Sequence, residues 1–187
     1  MLAAGTLARV SEAVERFNAA MHGRLPGVFG IKLLQVGHGL AEARLELKPE
    51  HLAPNEFLHA GTVITLADSC CGMGCLASLP PGAVGFTTIE LKTNFLATAT
   101  EGALRCRAEL AHGGSRTQVW DASVSREEDE RVIALFRCTQ FILPEGDPRT
   151  TRQRRQSEAL RASNEMPGVP EAAKIESSKD AGRPHTN

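Results

Sequence analysis

The stretch His59-Ala60-Gly61-Thr62-Val63-Ile64-Thr65-Leu66-Ala67-Asp68 decides how this chain folds. Residues 60–79 are apolar or small on nearly every side, which is the pattern of a helix sunk in a core. Asp68 is the only charged residue in this run. An ionised carboxylate is costly to bury unless it is paired or works in a cleft. Asp68 is therefore the first candidate for a functional residue.

Length and charge limit the class of protein. A chain of 187 residues is long enough for one ordinary domain with tails. Its formal net charge of -1 gives no general attraction to nucleic acid or to an anionic membrane. The first residues lack a basic segment followed by an apolar one, and the most apolar stretch carries Asp68, so we predict neither a secretory signal nor a membrane span. We expect a cytoplasmic protein that binds neither nucleic acid nor membrane.

The five cysteines are odd in number, and three of them lie in the apolar run at positions 70, 71 and 75. Cys71 and Cys75 share one helix face and could hold a metal, but no histidine or second cysteine pair lies at the spacing of a zinc finger. We predict thiols that pack in the core, with no disulfide framework and no metal site.

The rest of the chain divides into periodic segments and a polar tail. An apolar stripe predicts an amphipathic helix over residues 6–21, and strand patterns over 28–36 and 41–48 predict a hairpin through Gly37-His38-Gly39. His38 and His51 lie in polar loops and are expected at the surface. Four more strands are predicted after the buried helix, over about 88–95, 104–110, 120–124 and 133–143.

This order of elements predicts an α+β domain in which a meandering antiparallel sheet curls around the long buried helix. We divide the chain into an N-terminal helical segment (1–26), the domain itself (27–143) and a polar tail (144–187). The tail is expected to be disordered, with a short helix near residues 151–162.

Three features together resemble a known family: His59-Ala-Gly at the helix start, Asp68 nine residues on, and the loop His112-Gly-Gly-Ser-Arg. They resemble the hotdog-fold acyl-CoA thioesterases of the PaaI-like and 4-hydroxybenzoyl-CoA thioesterase group over about residues 27–143. The resemblance implies a hydrolase that cleaves a small or medium acyl-CoA, aromatic or fatty, to free acid and CoA. Coenzyme A would be part of the substrate, with no further cofactor. The alternatives are a non-catalytic hotdog module that binds acyl-CoA and, within the enzymes, a hydratase.

Thioester hydrolysis needs a group that attacks or activates water, and donors for the carbonyl oxygen as it gains charge. Asp68 fits the first role, either as a general base or as a nucleophile that forms a transient anhydride. The amides of Ala60 and Gly61 fit the second, because the first amides of a helix have no partner within it. The resemblance assigns this role to Ala60, with His59 orienting the loop or touching the acyl carbonyl.

Two further parts of the site follow from the resemblance. The family often carries Gln or Asn six positions before the histidine, where this chain has Ala53; Asn55 either takes over that role or only makes an Asx-type turn after Pro54. The loop 112–116 would hold the pantetheine or the phosphates, although a glycine-rich hairpin with a solvated arginine has the same pattern. The predicted substrate-binding and CoA-binding residues are Gly61, Thr88, Gly114, Ser115 and Arg116.

The spacing of His59 and Asp68 predicts how the site is assembled. Nine residues of α-helix turn through about 900° and rise about 13 Å, which puts the two residues on opposite faces. One copy of the chain cannot bring them together, whereas a symmetric dimer can, and the resemblance implies that arrangement. We expect a homodimer or a dimer of dimers.

Overall fold

The computed structural model describes residues 2–151, with side chains from residue 11 onward. The polar tail beyond residue 151, with its expected disorder and short helix, lies outside the described residues. The elements in chain order are α1 (Leu2–Met21), α2 (Leu25–Val28), β1 (Lys32–Gly37), β2 (Leu40–Glu46), α3 (Ala60–Ala77), β3 (Ala83–Phe95), β4 (Ala103–Gly113), β5 (Thr117–Arg126) and β6 (Val132–Pro144).

The six strands form one antiparallel sheet in the order β1-β2-β4-β5-β6-β3, and α3 packs against it. This confirms the predicted α+β hotdog architecture, with an antiparallel sheet around a long helix and an additional N-terminal helix. The predicted hairpin of β1 and β2 is confirmed, and the meander is correct for β4, β5 and β6 but not for β3. Because α3 carries the chain across the sheet, β3 pairs with β6 at the far edge instead of with β4.

The helix α3 packs against all six strands of the sheet. Half of its residues are buried, and by length and composition alone it would also pass as a membrane span, as core helices do. All five cysteines are free and buried. Burial raises the pKa of Cys75 to about 12, so this thiol stays protonated and packs as a small apolar group. Among residues 11–151, no group of three or more His, Cys, Asp or Glu is arranged to hold a metal ion.

The N-terminal segment differs in detail from the sequence prediction. The first helix ends at Met21 as expected, and Asn18 fixes it to β1: its side-chain amide donates to Leu33 O at 3.0 Å, and its oxygen accepts from Leu33 N at 2.8 Å. The expected strand from residue 28 is wrong at its start, since Val28 ends α2. Pro26 stands in the first turn of that short helix, where proline is favoured.

The edge strand β3 also departs from regular alternation. A bulge between Thr88 and Glu90 leaves Ile89 without a partner on β6. Ile89, Leu91 and Phe95 are 58%, 39% and 48% exposed. One side of β3 is therefore an unpaired edge flanked by apolar side chains.

Candidate active site

The start of α3 presents one free backbone amide. His59 is the N-cap in extended conformation, and its Nδ1 accepts from Gly61 N at 2.9 Å. Thr62 N donates to His59 O, also at 2.9 Å. Ala60 is exposed, and its N–H has no acceptor among the described residues. Two backbone amides were predicted to donate to the carbonyl oxygen of the substrate. That of Gly61 donates to the His59 side chain instead, whereas that of Ala60 is available at the positive end of the helix.

The His59 ring has a defined orientation. Because Nδ1 accepts a hydrogen bond, a neutral imidazole carries its proton on Nε2, which becomes the free donor of the side chain. A Cβ at position 61 would lie 2.9 Å from His59 Nδ1, so the glycine makes room for this cap. The sequence pattern His59-Ala60-Gly61 therefore has a local structural reason.

His51 anchors the loop before α3, and the expectation that it lies at the surface is wrong. It is 2% exposed and stacks on Phe29, with 5.6 Å between the ring centroids. Lys48 N donates to its Nδ1 at 3.1 Å. The His51 carbonyl accepts from His59 N at 3.1 Å and from Thr62 Oγ1 at 2.8 Å. A single histidine in a polar loop carries no periodic pattern, so the sequence gives no signal for this burial.

Asn55 lies at the exposed tip of the same loop. Its side-chain oxygen accepts from Phe57 N at 3.4 Å, and the loop closes through a hydrogen bond of 2.7 Å from Ala53 N to Phe57 O. Glu56 adopts a φ of 65°, in the left-handed region. The Asx-type turn is thus formed, and a catalytic role for Asn55 stays a prediction.

Asp68 occupies the half-buried face of α3. Its Oδ1 is buried and has no hydrogen-bond partner among the described residues. Burial raises the pKa of this carboxyl above its ordinary value, and the hydroxyl of Thr88 on β3 lowers the pKa in part. The structure therefore brings two of the predicted site residues together, one from the central helix and one from the edge strand.

Gln140 on β6 is a neighbour that the sequence reasoning missed. It lies opposite Thr88 in the β3–β6 register and is fully buried. One feature of the sequence could have identified it. An amide side chain stands at an inward-facing position of β6, between Cys138 and Ile142, where the alternation predicts an apolar residue.

The loop 112–116 is a tight turn between β4 and β5. Gly114 N donates to Thr117 O at 2.9 Å, while Ser115 and Arg116 are exposed. Arg149 and, more weakly, Arg116 lower the pKa of Asp147 to about 2, so the Arg116 guanidinium has a carboxylate nearby. The glycine-rich hairpin is present, and phosphate binding stays a prediction.

The distance between this turn and Thr88 follows from the strand register. Gly113, Gln118, Gln140 and Thr88 form one row across β4, β5, β6 and β3. Three strand spacings separate the ends of the row by about 14 Å. Within one protomer the turn and the Asp68–Thr88 pair therefore do not meet.

A cavity of about 510 Å³ lies on the opposite face of the sheet from α3. Four of its charged side chains form two ion pairs: Arg107 with Glu109 at 2.7 Å, and Arg137 with Asp121 at 2.5 Å. Arg107 is exposed on this face of the sheet. The cavity has no lining residue from α3.

Comparisons with known proteins agree with the architecture. A family model described as "Thioesterase superfamily" matches residues 55–133. A 1,4-dihydroxy-2-naphthoyl-CoA hydrolase from Listeria monocytogenes is 31% identical over 115 residues, which are 62% of this chain and 92% of that protein. The hydrolase of the same name from Escherichia coli is 29% identical over 132 residues, 70% of this chain and 94% of that protein.

A solved thioesterase structure from Haemophilus influenzae covers 72% of this chain and 93% of its own, with a TM-score of 0.67 and 21% identity, a likeness that shows the fold alone. The sequence match to the Listeria hydrolase over nearly its whole length shows more than the fold. The chain therefore belongs to the thioesterase superfamily, as a thioester hydrolase of the hotdog fold.

Proposed function

We propose that this hydrolase cleaves acyl-CoA thioesters with Asp68 as its catalytic carboxylate. The observation that carries the proposal is the state of Asp68: it is the only charge on the central helix, and it is half-buried, with one carboxylate oxygen lacking a partner among the described residues. A carboxylate that is expensive to keep ionised in the fold and has a free oxygen is suited to accept a proton or to attack a carbonyl.

As a general base, Asp68 takes a proton from water while the water oxygen bonds to the thioester carbon. The carbonyl oxygen becomes an oxyanion, and the N–H of Ala60 donates to it. The tetrahedral intermediate then collapses, the C–S bond breaks, and the CoA thiolate leaves and receives a proton. As a nucleophile, Asp68 instead displaces the thiolate and forms a mixed anhydride, which water hydrolyses.

The substrate class follows from the relatives and from the surroundings of the site. The Listeria and Escherichia coli proteins are named hydrolases of 1,4-dihydroxy-2-naphthoyl-CoA, an aromatic acyl-CoA. Phe57, two residues before the His59 cap, is 57% exposed and offers an apolar ring for an acyl group. We infer a small or medium acyl group, with aromatic acyl chains as the first choice and fatty chains as the second.

The site is proposed to form between two copies of the chain. The His59 cap and Asp68 are separated by nine residues of α3, so the amide of Ala60 and the carboxylate are about 12 Å apart along one helix axis. The open edge of β3 gives a second copy a strand to pair with, and exposed edge strands are seldom left uncovered. In a symmetric pair, the α3 start of one protomer faces Asp68 of the other.

The test is a panel of acyl-CoA thioesters, including 1,4-dihydroxy-2-naphthoyl-CoA, benzoyl-CoA and hexanoyl-CoA, followed by release of free thiol. We expect hydrolysis of at least one aromatic member, and a loss of about 10²-fold or more in Asp68→Asn with acyl-CoA binding retained. An Asp68→Asn variant at near wild-type rate would show that Asp68 is not the catalytic group. Binding without hydrolysis across the whole panel would favour the non-catalytic module.

A single turnover in ¹⁸O-labelled water separates the two roles of Asp68. A general base yields an acid that contains one labelled oxygen in every molecule. A nucleophile whose anhydride is opened at the Asp68 carbon yields unlabelled acid in the first turnover and leaves the label in the protein.

A further inference from the structure

Gln140 is an unusual residue for its position in the core. It is 0% exposed on the face of the sheet that carries α3, between the buried Cys138 and Ile142. Its Oε1 accepts from Thr88 Oγ1 at 3.0 Å, and its Nε2 donates to Cys138 Sγ at 3.2 Å. Sulfur is a weak acceptor, and burying an amide is costly unless it is well hydrogen-bonded. An apolar side chain of the same length would fill this space at lower cost, so packing alone does not explain a glutamine here.

The contact with Thr88 suggests the reason. The bulge at Ile89 lies directly after Thr88, and such irregularities reorient side chains next to functional sites. Thr88 donates its one hydroxyl proton to the Gln140 oxygen, and the same hydroxyl is near enough to the Asp68 carboxylate to lower its pKa. When the proton goes to Gln140, the lone pairs of the Thr88 oxygen remain for another donor.

We propose that Gln140 is a positioning residue for the hydrolytic water, which rests on the proposed role of Asp68. By taking the Thr88 proton, Gln140 turns the hydroxyl into an acceptor on the Asp68 side. The attacking water then donates one hydrogen to Thr88 and the other to Asp68. During attack the second O–H bond breaks, its proton passes to Asp68, and the water oxygen bonds to the thioester carbon. Gln140 touches neither the water nor the substrate and acts through Thr88.

The chain offers a matched control one strand away. Gln118 on β5 is 1% exposed, lies beside Gln140 in the same row and bonds to Trp120 Nε1 at 2.9 Å and to Ser78 O at 2.7 Å. These bonds do not include Thr88. Gln118→Met and Gln140→Met therefore each remove a buried amide of the same kind, and only the second frees the Thr88 hydroxyl.

The experiment measures kcat and KM with benzoyl-CoA and hexanoyl-CoA, and the melting temperature of each variant. We expect Gln140→Met to lower kcat by about tenfold or more with KM within about twofold, while Gln118→Met keeps kcat within about twofold of wild type. In Gln140→Glu the buried acid stays protonated and its oxygen still accepts from Thr88, so kcat should return to within about threefold. In a Thr88→Val background, Gln140→Met should cause no further loss of kcat, because Gln140 acts only through the Thr88 hydroxyl.

Equal losses of kcat in Gln140→Met and Gln118→Met would overturn the inference. So would a double variant, Thr88→Val with Gln140→Met, whose loss of kcat is the product of the two single losses. If Gln140→Met fails to fold, a Gln140→Glu variant as slow as Thr88→Val overturns it equally. The roles of Asp68 and Gln140 can be rejected separately. An inactive Asp68→Asn variant together with a fully active Gln140→Met variant rejects only the role of Gln140. Active Asp68→Asn rejects both.

Discussion

The Asp68 carboxyl is subject to two opposing influences. Burial raises its pKa from the ordinary value of 3.8, and the Thr88 hydroxyl lowers it in part. Thr88 is also the donor to Gln140, so the balance depends on where one proton points. Because burial is the larger of the two influences, Asp68 becomes protonated, and inactive as a base, at a higher pH than an exposed aspartate does.

The pH dependence of kcat/KM is the first prediction. We expect the acid limb of the wild-type profile to have its midpoint above pH 3.8, because the active form is the carboxylate and burial disfavours it. Thr88→Val replaces a hydroxyl near Asp68 by a methyl group, which removes the influence that lowers the pKa and deepens the desolvation that raises it, so its limb should move further toward neutral pH. Thr88→Ser, which keeps the hydroxyl, serves as control. A limb that moves to lower pH in Thr88→Val contradicts this reading of the pair.

Ala60 allows a backbone donor to be deleted by substitution. It is the first residue of α3, a position where proline is favoured, and His59 before it has a φ of -67° and a ψ of 131°, which a following proline accepts. Ala60→Pro should keep the helix and remove the N–H, lowering kcat by about 10²-fold or more. Ala60→Ser retains the N–H and should stay near wild type. Full activity in a folded Ala60→Pro protein would exclude this amide as the oxyanion donor.

Among the elements, α3 packs closely against β5. Gly74 faces the fully buried Trp120, and a Cβ there would lie 2.6 Å from the ring. The ring cannot move away easily, because its Nε1 donates to Gln118 Oε1 at 2.9 Å. Gly72 instead faces the tip of the half-buried Phe86 at 3.0 Å, on the edge strand β3.

Alanine substitutions at these two glycines test how closely α3 packs against β5 and β3. Alanine gains about 1 kcal/mol of helix propensity at either site. At Gly74 we expect an overpacking cost of about 1–3 kcal/mol against Trp120 to outweigh this gain, lowering the free energy of unfolding by up to about 2 kcal/mol. At Gly72 the Phe86 ring can yield, so the change should be near zero. Denaturant unfolding of both variants decides the matter, and a Gly74→Ala protein as stable as wild type would contradict the tight contact.

The same elements show how far sequence patterns reach. The pattern of α3 is strong because nearly every side is apolar, and β5 alternates cleanly between the buried Trp120, Ala122 and Val124 and their half-buried neighbours. Both were predicted correctly. The place of β3 beside β6 was not predicted, because this pairing is long-range and local alternation does not encode it.

The site was predictable in the same uneven way. Asp68 and the His59 cap stand out because a charge or a cap breaks an apolar pattern. His51 and Gln140 are single polar residues whose burial depends on tertiary partners, Phe29 in one case and Thr88 in the other. Such residues become visible only when the elements are assembled.

At the scale of the whole molecule, the proposed shared site makes a sharp prediction for hybrid dimers. Combine one Asp68→Asn chain with one Ala60→Pro chain, each carrying a different tag, and isolate the hybrid by both tags. Each site in a symmetric pair takes Asp68 from one chain and Ala60 from the other. One site of the hybrid then carries both defects, and the other site carries neither.

We therefore expect this hybrid to recover about half of the wild-type activity, although each parent is nearly inactive. A hybrid of wild type with Asp68→Asn is the control, since it also keeps one intact site and should give the same half. If each site instead lay within a single chain, the double hybrid would have no intact site, and only the control would be active. An inactive double hybrid together with an active control would thus place both catalytic groups in one protomer. That result would contradict the expectation from the nine-residue spacing along α3, which keeps the two groups of one chain apart.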